Sequence, residues 1–352
     1  MTPLQDSFIF EVDEDSNITS NMRLDKYLTS KLSVSRNQIE RLIKTDKITI
    51  NNTTITKTGY KLSQNDEIKI DFPEVEKNSE EANLEKCASF DIKIIYEDDD
   101  ILVINKPKDL VIHDAPSVSE PTLVDWLRYK NISLSTLNAE IRHGIVHRLD
   151  KNTTGAMVIA KTNEAHEGLS SQLQDKSMGR YYIGVINKPL KNDIIVDKPI
   201  GRNRANRMKM GINQNGKVAK TAFSKLATLT NERYELIVAK LFTGRTHQIR
   251  VHLNAITRYI IGDDMYKINV TKNSSQKDVV DDILLHAYLL YLIHPITKEP
   301  MNFIAPPSTH FSEFIEANID NLDNEDNPNI SNKEYIDEIL SANSIIDAFA
   351  DI

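Results

Sequence analysis

The chain of 352 residues is poor in the features that mark several protein classes. It has one cysteine, Cys87, which excludes an internal disulfide and a CxxC metal site. No apolar run approaches the roughly 18 residues that a membrane-spanning helix needs. The first residues are acidic and lack the charged and then apolar pattern of a signal peptide. These absences favour a cytoplasmic protein without a membrane partner.

Glycine-rich phosphate-binding loops are also missing. Neither the dinucleotide motif G-x-G-x-x-G nor the Walker motif G-x-x-x-x-G-K-[ST] occurs, so no nucleotide cofactor is implied. His143 and His147 are four positions apart and His247 and His252 are five apart, but neither pair lies on a convincing helix with a third ligand. The sequence therefore predicts no metal site.

The net charge of −8 is opposite in sign to that expected of a protein that binds nucleic acid, but the acidic residues are unevenly distributed. Residues 20–72 carry a formal charge of +4, and residues 92–311 carry +7. The excess acid lies in the two ends of the chain and in residues 73–91. Because charge interactions are screened beyond about 10 Å in ordinary salt, the two basic segments can still attract phosphates.

Composition and periodicity divide the chain into five parts. Apolar residues at helical spacing, a helix-cap signal and short β-branched runs predict a compact αβ unit over residues 20–72. Many strand signals and fewer helical ones predict a larger α+β domain over residues 91–318. The other parts are an N-terminal extension (1–19), an acidic linker (73–90) and an acidic, asparagine-rich tail (319–352). We expect the tail to be disordered or loosely docked.

A short polar segment stands between two apolar runs. Residues 147–155 read HRLDKNTTG, and the run AMVIA at residues 156–160 predicts a buried strand directly after them. The segment therefore holds one carboxylate, that of Asp150, at the start of a rigid element, which suits a reactive group. On this segment alone, an ordinary turn in which Asp150 caps backbone N–H groups is an equally good interpretation.

A second motif favours the reactive interpretation. Residues 243–253 read TGRTHQIRVHL. Together the two motifs resemble those of the RluA/RluD family of pseudouridine synthases, H-R-L-D-x-x-T-S-G and G-R-T-H-Q-I-R-V-H. Thr154 stands where that family has serine. The resemblance covers roughly residues 20–311, and the combined motifs are highly specific.

Shorter stretches add to the resemblance. Residues 180–186, RYYIGVI, match the family's K-x-Y-x-A-x-V, with Arg180 in place of lysine and Gly184 in place of alanine. Two further matches are GDDMY at residues 262–266 and LHA at residues 285–287.

The resemblance implies the pseudouridine synthase fold, which is a large mixed, mostly antiparallel sheet with helices and a central RNA cleft. It also implies that residues 20–72 are an S4-type RNA-binding domain. The expected RNA contacts of that domain are basic side chains: Arg23, Lys26, Arg36, Arg41 and Lys44. Without the resemblance, these charges would more readily indicate the solvated face of an amphipathic helix pair.

The family resemblance also suggests roles for individual residues. Asp150 matches the catalytic aspartate, and Arg245 is the expected cationic partner that stabilises its charged form. Tyr182 is expected to stack on a flipped base, and Ile249 to close the other face of the pocket. Three further residues are expected to contact the substrate: Arg148, His147 and Arg250.

The expected reaction detaches uracil from its ribose, rotates it and rejoins it through C5, so no cofactor is implied. Asp150 could attack the ribose C1′, attack C6 of the base or abstract a ribose proton, and the sequence does not choose among these routes. Large-subunit ribosomal RNA is the expected partner, because S4-type domains accompany ribosomal substrates in this family. A tRNA substrate and a non-catalytic role in ribosome assembly are the alternatives. No protein partner is implied.

Overall fold

The computed structural model describes residues 7–11, 22–32, 36–71, 86–113, 120–132, 134–135, 144–203, 205–206, 208–230, 233–267, 280, 282–319 and 331–350. Of residues 7–11, 30, 32, 36–38 and 41 it describes the backbone alone. The chain divides into two compact units, Met1–Ala82 and Asn83–Ile352. Over the described residues, every helix is too short or too polar to cross a bilayer.

The first unit packs helices α1 (Leu24–Leu32) and α2 (Arg36–Lys44) with a small antiparallel sheet. Its strands are β1 (Ser7–Glu11), β2 (Ile48–Ile50), β3 (Thr53–Thr54) and β4 (Glu67–Asp71), paired in the order β1-β4-β2-β3. Helices and strands share one apolar core: Leu24, Leu28, Ile39, Ile43, Ile48, Ile68 and Ile70. Strand β1 comes from the predicted N-terminal extension, so that extension contributes an edge strand to this unit.

The second unit is built on one large sheet. Its strands are β5 (Lys93–Glu97), β6 (Ile101–Lys106), β7 (Thr154–Ala160), β8 (Gly179–Ile186), β9 (Ile194–Asp197), β10 (Ile200–Arg202), β11 (Met210–Ile212), β12 (Lys220–Leu229), β13 (Tyr234–Leu241), β14 (Leu285–Ile293) and β15 (Pro300–Ile304). The large sheet has the order β5-β6-β7-β14-β8-β13-β12-β9, β15 also pairs with β14, and β10 and β11 form a separate hairpin. Strands β7 and β14 run parallel, and the other pairs are antiparallel. This confirms the predicted mixed, mostly antiparallel sheet.

Helices accompany the large sheet. They are α3 (Leu123–Tyr129), α4 (Asn163–Asp175), α5 (Gln248–Ala255), α6 (Thr309–Asn318), α7 (Asn332–Ile339) and α8 (Ala342–Asp347). A capping box sets the start of helix α3. The Thr122 side chain accepts a hydrogen bond from the Asp125 N–H, and the Asp125 carboxylate accepts one from the Thr122 N–H. Its apolar side places Trp126 in the core of the unit.

The parallel pair of β7 and β14 sets the position of residues 147–153. Thr154 and Gly155 of β7 lie opposite His286 and Ala287 of β14. Gly155 has a φ of +118°, and a Cβ there would lie 2.2 Å from the Ala287 carbonyl oxygen. Only glycine permits this backbone approach. The polar segment before β7 is therefore delivered to the middle of the sheet.

The end of the chain corrects one expectation. Residues 319–352 were expected to be disordered or loosely docked, but α7 and α8 pack on the large sheet. Leu340, Ile345 and Phe349 belong to the same buried apolar cluster as the sheet. Tyr288 of β14 donates a hydrogen bond to the Leu340 carbonyl at 2.8 Å. The acidic composition misled the prediction, because the acids of these two helices are exposed and leave the apolar faces free to pack.

Truncation of a buried side chain in α8 is expected to destabilise the second unit. Ile345 is 0% exposed, and Ile345→Ala at such a site costs about 2–5 kcal/mol of unfolding free energy. The matched control is Asn343→Ala, an exposed change in the same helix. Urea titration followed by the fluorescence of Trp126 measures both variants. A loss below about 0.5 kcal/mol for Ile345→Ala would show that α8 is not part of the core.

Candidate active site

A buried lysine holds the loop that carries Asp150. Lys106, the last residue of β6, is fully buried. Its Nζ donates hydrogen bonds to the carbonyl oxygens of Pro107, Leu110 and Lys151 at 2.8, 3.0 and 2.9 Å. These bonds use all three donors of an ammonium group. The residue that follows Asp150 is therefore tied to the end of β6.

His147 is placed differently from its predicted role as a substrate contact. The ring is buried, and its Nε2 accepts a hydrogen bond from the backbone N–H of Val158 at 3.1 Å. Burial, with a smaller contribution from the Arg180 cation, lowers the pKa of His147 to about 3, so the ring is neutral at ordinary pH. We therefore correct its role to that of an anchor between the loop and β7. The neighbouring Arg148 is exposed.

The carboxylate of Asp150 forms an ion pair with Arg250. Asp150 Oδ2 lies 3.4 Å from Arg250 Nη1, and the two side chains are 19% and 11% exposed. Arg250 also donates from Nε and Nη2 to the two carboxylate oxygens of Asp263, each at 2.7 Å. Burial alone would lower the pKa of Arg250, but the contacts with Asp263 and the charge of Asp150 raise it. The guanidinium therefore stays charged and joins two carboxylates.

Arg245 was predicted to be the partner of Asp150, and the structure corrects that prediction. The Nε of Arg245 donates to the Val218 carbonyl at 2.9 Å. Among the described residues, the cation within 4.0 Å of the Asp150 carboxylate is Arg250. Arg245 nevertheless lines the same pocket as Asp150.

The second motif is held in place by the side chain of Gln248. Its Oε1 accepts from the backbone N–H of Arg245 at 3.0 Å, and its Nε2 donates to the Lys220 carbonyl and the Thr221 hydroxyl at 3.0 and 2.9 Å. Just before it, His247 has a left-handed φ of 56°, which turns the chain into α5. These contacts fix the first turn of α5 against the start of β12.

A pocket lies among the Asp150 loop, β8 and the start of α5. Every predicted member of the site except His147 lines it: Arg148, Asp150, Tyr182, Arg245, Ile249 and Arg250. Tyr182 and Ile249 are buried side chains that give the pocket ring and aliphatic surface. Burial raises the pKa of Tyr182 to about 12, so its phenol is neutral at ordinary pH.

The pocket adjoins a wider groove of about 950 Å³. Asp150, His247 and Arg250 line both spaces. The groove continues past Lys106 and Lys151 and has charged side chains of both signs along its walls. The arrangement is a small pocket that opens beside a larger groove.

A cluster of Asp98, Asp100 and His294 has the residue types of a metal site. Asp98 Oδ2 accepts a hydrogen bond from the Tyr96 hydroxyl at 2.8 Å and lies 2.9 Å from His294 Nε2. Asp100 Oδ1 accepts from the Thr162 hydroxyl at 3.0 Å. These bonds join the turn between β5 and β6 to α4 and to the end of β14, which is a structural role.

The predicted RNA-contacting cations of the first unit differ in their surroundings. Arg23 donates from Nε and Nη2 to the buried Asp25 carboxylate, both at 2.9 Å, so its position is fixed within the unit. Lys26 and Lys44 are exposed. Arg36 and Arg41 lie in α2, and their side chains are outside the described part of the structure.

Three residues of the site were not predicted from the sequence: Lys106, Arg180 and Asp263. Arg180 and Asp263 both lie in stretches that match the family, RYYIGVI and GDDMY, so membership of a motif was the available signal. Lys106 has no comparable signal, because a lysine before a proline at the end of a strand is usually a surface residue.

Comparison with known proteins agrees with this geometry. A family model described as RNA pseudouridylate synthase matches residues 100–255, and one described as S4 domain matches residues 22–68. An RNA pseudouridine synthase of Helicobacter pylori is 41% identical over 337 residues, which are 94% of this chain and 97% of that protein.

Two relatives carry a more specific name. Ribosomal large subunit pseudouridine synthase D of Haemophilus influenzae is 36% identical over 303 residues, which cover 84% of this chain and 90% of the relative. The protein of the same name from Pasteurella multocida is 40% identical over 233 residues, which cover 64% of this chain and 70% of the relative. The chain therefore belongs to the RluA/RluD family of RNA pseudouridine synthases, isomerases that act on uridine in RNA, and it carries an N-terminal S4 domain.

Proposed function

We propose that this enzyme converts uridines of large-subunit ribosomal RNA to pseudouridine and that Asp150 is its catalytic carboxylate. The similarity to a ribosomal large subunit pseudouridine synthase D extends over 90% of that relative's length, which supports the substrate. One observation carries the assignment of Asp150. Among the described residues that line the pocket, it is the only one with a carboxylate, and that carboxylate is ion-paired to Arg250.

The target base must leave the RNA stack to reach the pocket. Flipping a base out of the stack costs a few kcal/mol of free energy. Stacking on an aromatic ring such as Tyr182 offsets about 1–3 kcal/mol of that cost. Ile249 adds apolar surface on the same pocket. Exposed cations at the pocket rim and on the S4 domain, including Arg148, Lys26 and Lys44, attract the phosphates and contribute the remainder.

The isomerisation can start from Asp150 in three ways: attack on the ribose C1′, attack on C6 of the base, or removal of a ribose proton. In each case the electron pair of the N1–C1′ bond passes to the uracil ring. The ring then forms the C5–C1′ bond. The C5 proton passes to water, and N1 takes up a proton from water. No electrons are gained or lost overall, and Tyr182 offers its ring as a stacking surface for the base.

Arg250 positions the carboxylate for this chemistry. Its bidentate contact with the buried Asp263 fixes the plane of the guanidinium, and the remaining nitrogen holds Asp150. The centroid of the Tyr266 ring lies 4.9 Å from the guanidinium carbon of Arg250, so the ring packs against the guanidinium as well. An ammonium group offers neither the planar fork nor the stacking surface.

Asp150→Asn is expected to abolish the reaction. The variant keeps the size of the side chain and removes its charge, so it eliminates the nucleophile and the base that every route requires. We expect no detectable pseudouridine in reacted RNA, with RNA affinity within about threefold of the parent. Chemical mapping of pseudouridine and a binding titration on the same preparation measure the two quantities.

The matched control for this test is Asp99→Asn, an exposed aspartate in the turn between β5 and β6. It should form pseudouridine at the parental rate. A comparable rate for Asp150→Asn would remove Asp150 from the catalytic role.

Arg250→Lys and Arg245→Lys are expected to differ although each keeps its charge. A misplacement of a reacting group by about 1 Å can cost on the order of 10²-fold in rate. We therefore expect a loss of that size for Arg250→Lys and a smaller one for Arg245→Lys. Single-turnover rates at saturating enzyme measure both. A larger loss for Arg245→Lys would mean that Arg245, rather than Arg250, orients Asp150 during the reaction.

The substrate proposal is tested by mapping pseudouridine in total RNA from cells with and without this protein. We expect one or more sites in large-subunit ribosomal RNA to disappear in its absence. The parent chain should restore them, and Asp150→Asn should not. Loss of sites confined to tRNA would replace the ribosomal assignment with a tRNA one.

A further inference from the structure

Arg180 is a buried cation at the candidate active site, and none of the described acidic residues forms an ion pair with it. It lies in β8, two residues before Tyr182, so the two side chains project from the same face of the strand. Arg180 is 8% exposed, and its Nε is buried with no hydrogen-bond partner. No ion pair within 4.0 Å joins Arg180 to an acidic residue in the described part of the chain. Its guanidinium lines the pocket that contains Asp150.

Such an arrangement opposes folding. A buried N–H donor without a hydrogen bond, such as the Nε of Arg180, is destabilising, and buried polar groups in proteins are almost always paired. Burial lowers the pKa of Arg180, the Tyr182 side chain raises it, and the Arg245 cation lowers it again. The guanidinium has room at this point because residue 244 is a glycine. A Cβ there would lie only 2.8 Å from Arg180 Nη1. An unsatisfied donor in a binding pocket points to a ligand that accepts its hydrogen bonds.

This inference rests on the proposed function, in which a uracil enters the pocket. We propose that Arg180 donates a hydrogen bond to a carbonyl oxygen of the flipped uracil and stabilises the negative charge that this oxygen acquires when the N1–C1′ bond breaks. Arg180 is thus a further catalytic residue, whose role is independent of the route that Asp150 takes.

The electron balance of the reaction explains the need for a cation at this point. The pair of electrons from the N1–C1′ bond spreads over the ring to O2 and O4 before it forms the C5–C1′ bond. A donor already in place in a dry pocket stabilises such charge far better than water, because it does not have to reorganise. The charge is temporary, because the ring becomes neutral when C5 donates an electron pair to C1′. Loss of the C5 proton and protonation of N1 then leave the charge of the ring unchanged.

A phosphate is the other group that could satisfy a guanidinium, and the position of Arg180 argues against it. The phosphates of a flipped nucleotide remain attached to the RNA at the mouth of the site, where Arg148 is exposed. Arg180 is deep, and its neighbour on the same strand face is Tyr182, on which the base stacks. A ring in contact with Tyr182 therefore brings its edge, rather than its phosphate, to Arg180.

The first experiment compares Arg180→Met and Arg180→Lys with the parent chain on a ribosomal RNA fragment that contains a mapped uridine. Loss of one such donor typically lowers the rate by about 10²-fold, and we expect this for Arg180→Met, with the RNA Kd within about threefold. Arg180→Lys keeps a charge and should be intermediate. Arg128→Met, an exposed arginine of α3, is the matched control and should react at the parental rate.

Thermal unfolding separates this role from a structural one. Because the buried guanidinium is unpaired, its replacement by an apolar side chain of similar length should leave the Tm of Arg180→Met unchanged or higher. A rate loss accompanied by a marked fall in Tm would assign Arg180 to the fold and overturn the proposal.

The second experiment identifies the atom that Arg180 contacts. The target uridine is replaced by 2-thiouridine or 4-thiouridine, in which sulfur, a poor acceptor, takes the place of one carbonyl oxygen. The measured quantity is the ratio of the parental rate to the Arg180→Met rate. This ratio should be about tenfold smaller for the analogue whose sulfur replaces the oxygen that Arg180 contacts, and unchanged for the other analogue. Equal advantages with uridine and with both analogues would overturn the proposal.

The remaining outcomes are distinct from these. Arg180→Met could instead leave the turnover unchanged and weaken RNA binding, with the slope of log K against log salt concentration reduced by about 1. That result would show a phosphate contact and overturn the proposal. If the parent chain itself formed no pseudouridine in any ribosomal RNA, the proposed function would fall, and the parental rate alone would reveal that.

Discussion

One guanidinium, that of Arg250, connects the parts of this active site. It joins the loop before β7, which carries Asp150, to the segment after α5, which carries Asp263. Asp263 is itself fixed, because one of its oxygens also accepts hydrogen bonds from the backbone N–H groups of Met265 and Tyr266 at 3.1 Å. A bidentate contact sets the orientation of a guanidinium as well as its distance. The Asp150 carboxylate is therefore held by a group that Asp263 already fixes.

The buried polar residues around this centre are of two kinds. Lys106 and Gln248 have hydrogen-bond partners for their side-chain donors, and each ties a loop of the site to a strand. Arg180 is also buried, but its Nε has no hydrogen-bond partner among the described residues. Satisfied buried groups stabilise a unique arrangement, whereas an unsatisfied one weakens the fold unless a ligand completes it. The site thus combines satisfied buried groups with the unsatisfied Nε of Arg180.

Strand β8 connects this frame to the end of the chain. Consecutive residues of a strand face opposite sides of a sheet, and β8 uses both sides. Tyr182 faces the pocket, while the ring of the preceding Tyr181 lies 5.9 Å from that of Phe349. The acidic C-terminal helices therefore support, from the far side of the sheet, the strand that carries Tyr182 and Arg180. The acidic residues of these helices are exposed, and their apolar residues belong to the core.

Much of the protein was determined by local sequence. The helical and strand periods of residues 20–72 and 91–318 predicted an αβ unit and an α+β domain, because burial of one face produces those periods. The motif HRLDKNTTG identified Asp150, since the loop and the strand that position it are contiguous in the chain. Gly155 belongs to the same motif, and the close approach of β14 explains why that position must be glycine.

Only the tertiary structure decided which partners these residues meet. Asp150 and Arg250 are 100 positions apart, and the selection of Arg250 over Arg245 depends on the left-handed turn at His247 that sets the start of α5. The same holds for the inward orientation of His147, the unsatisfied Nε of Arg180 and the docking of α8. Residue type and spacing determine which elements form and which groups are reactive. The angles at which distant elements pack determine contacts between them, and no local pattern encodes those angles.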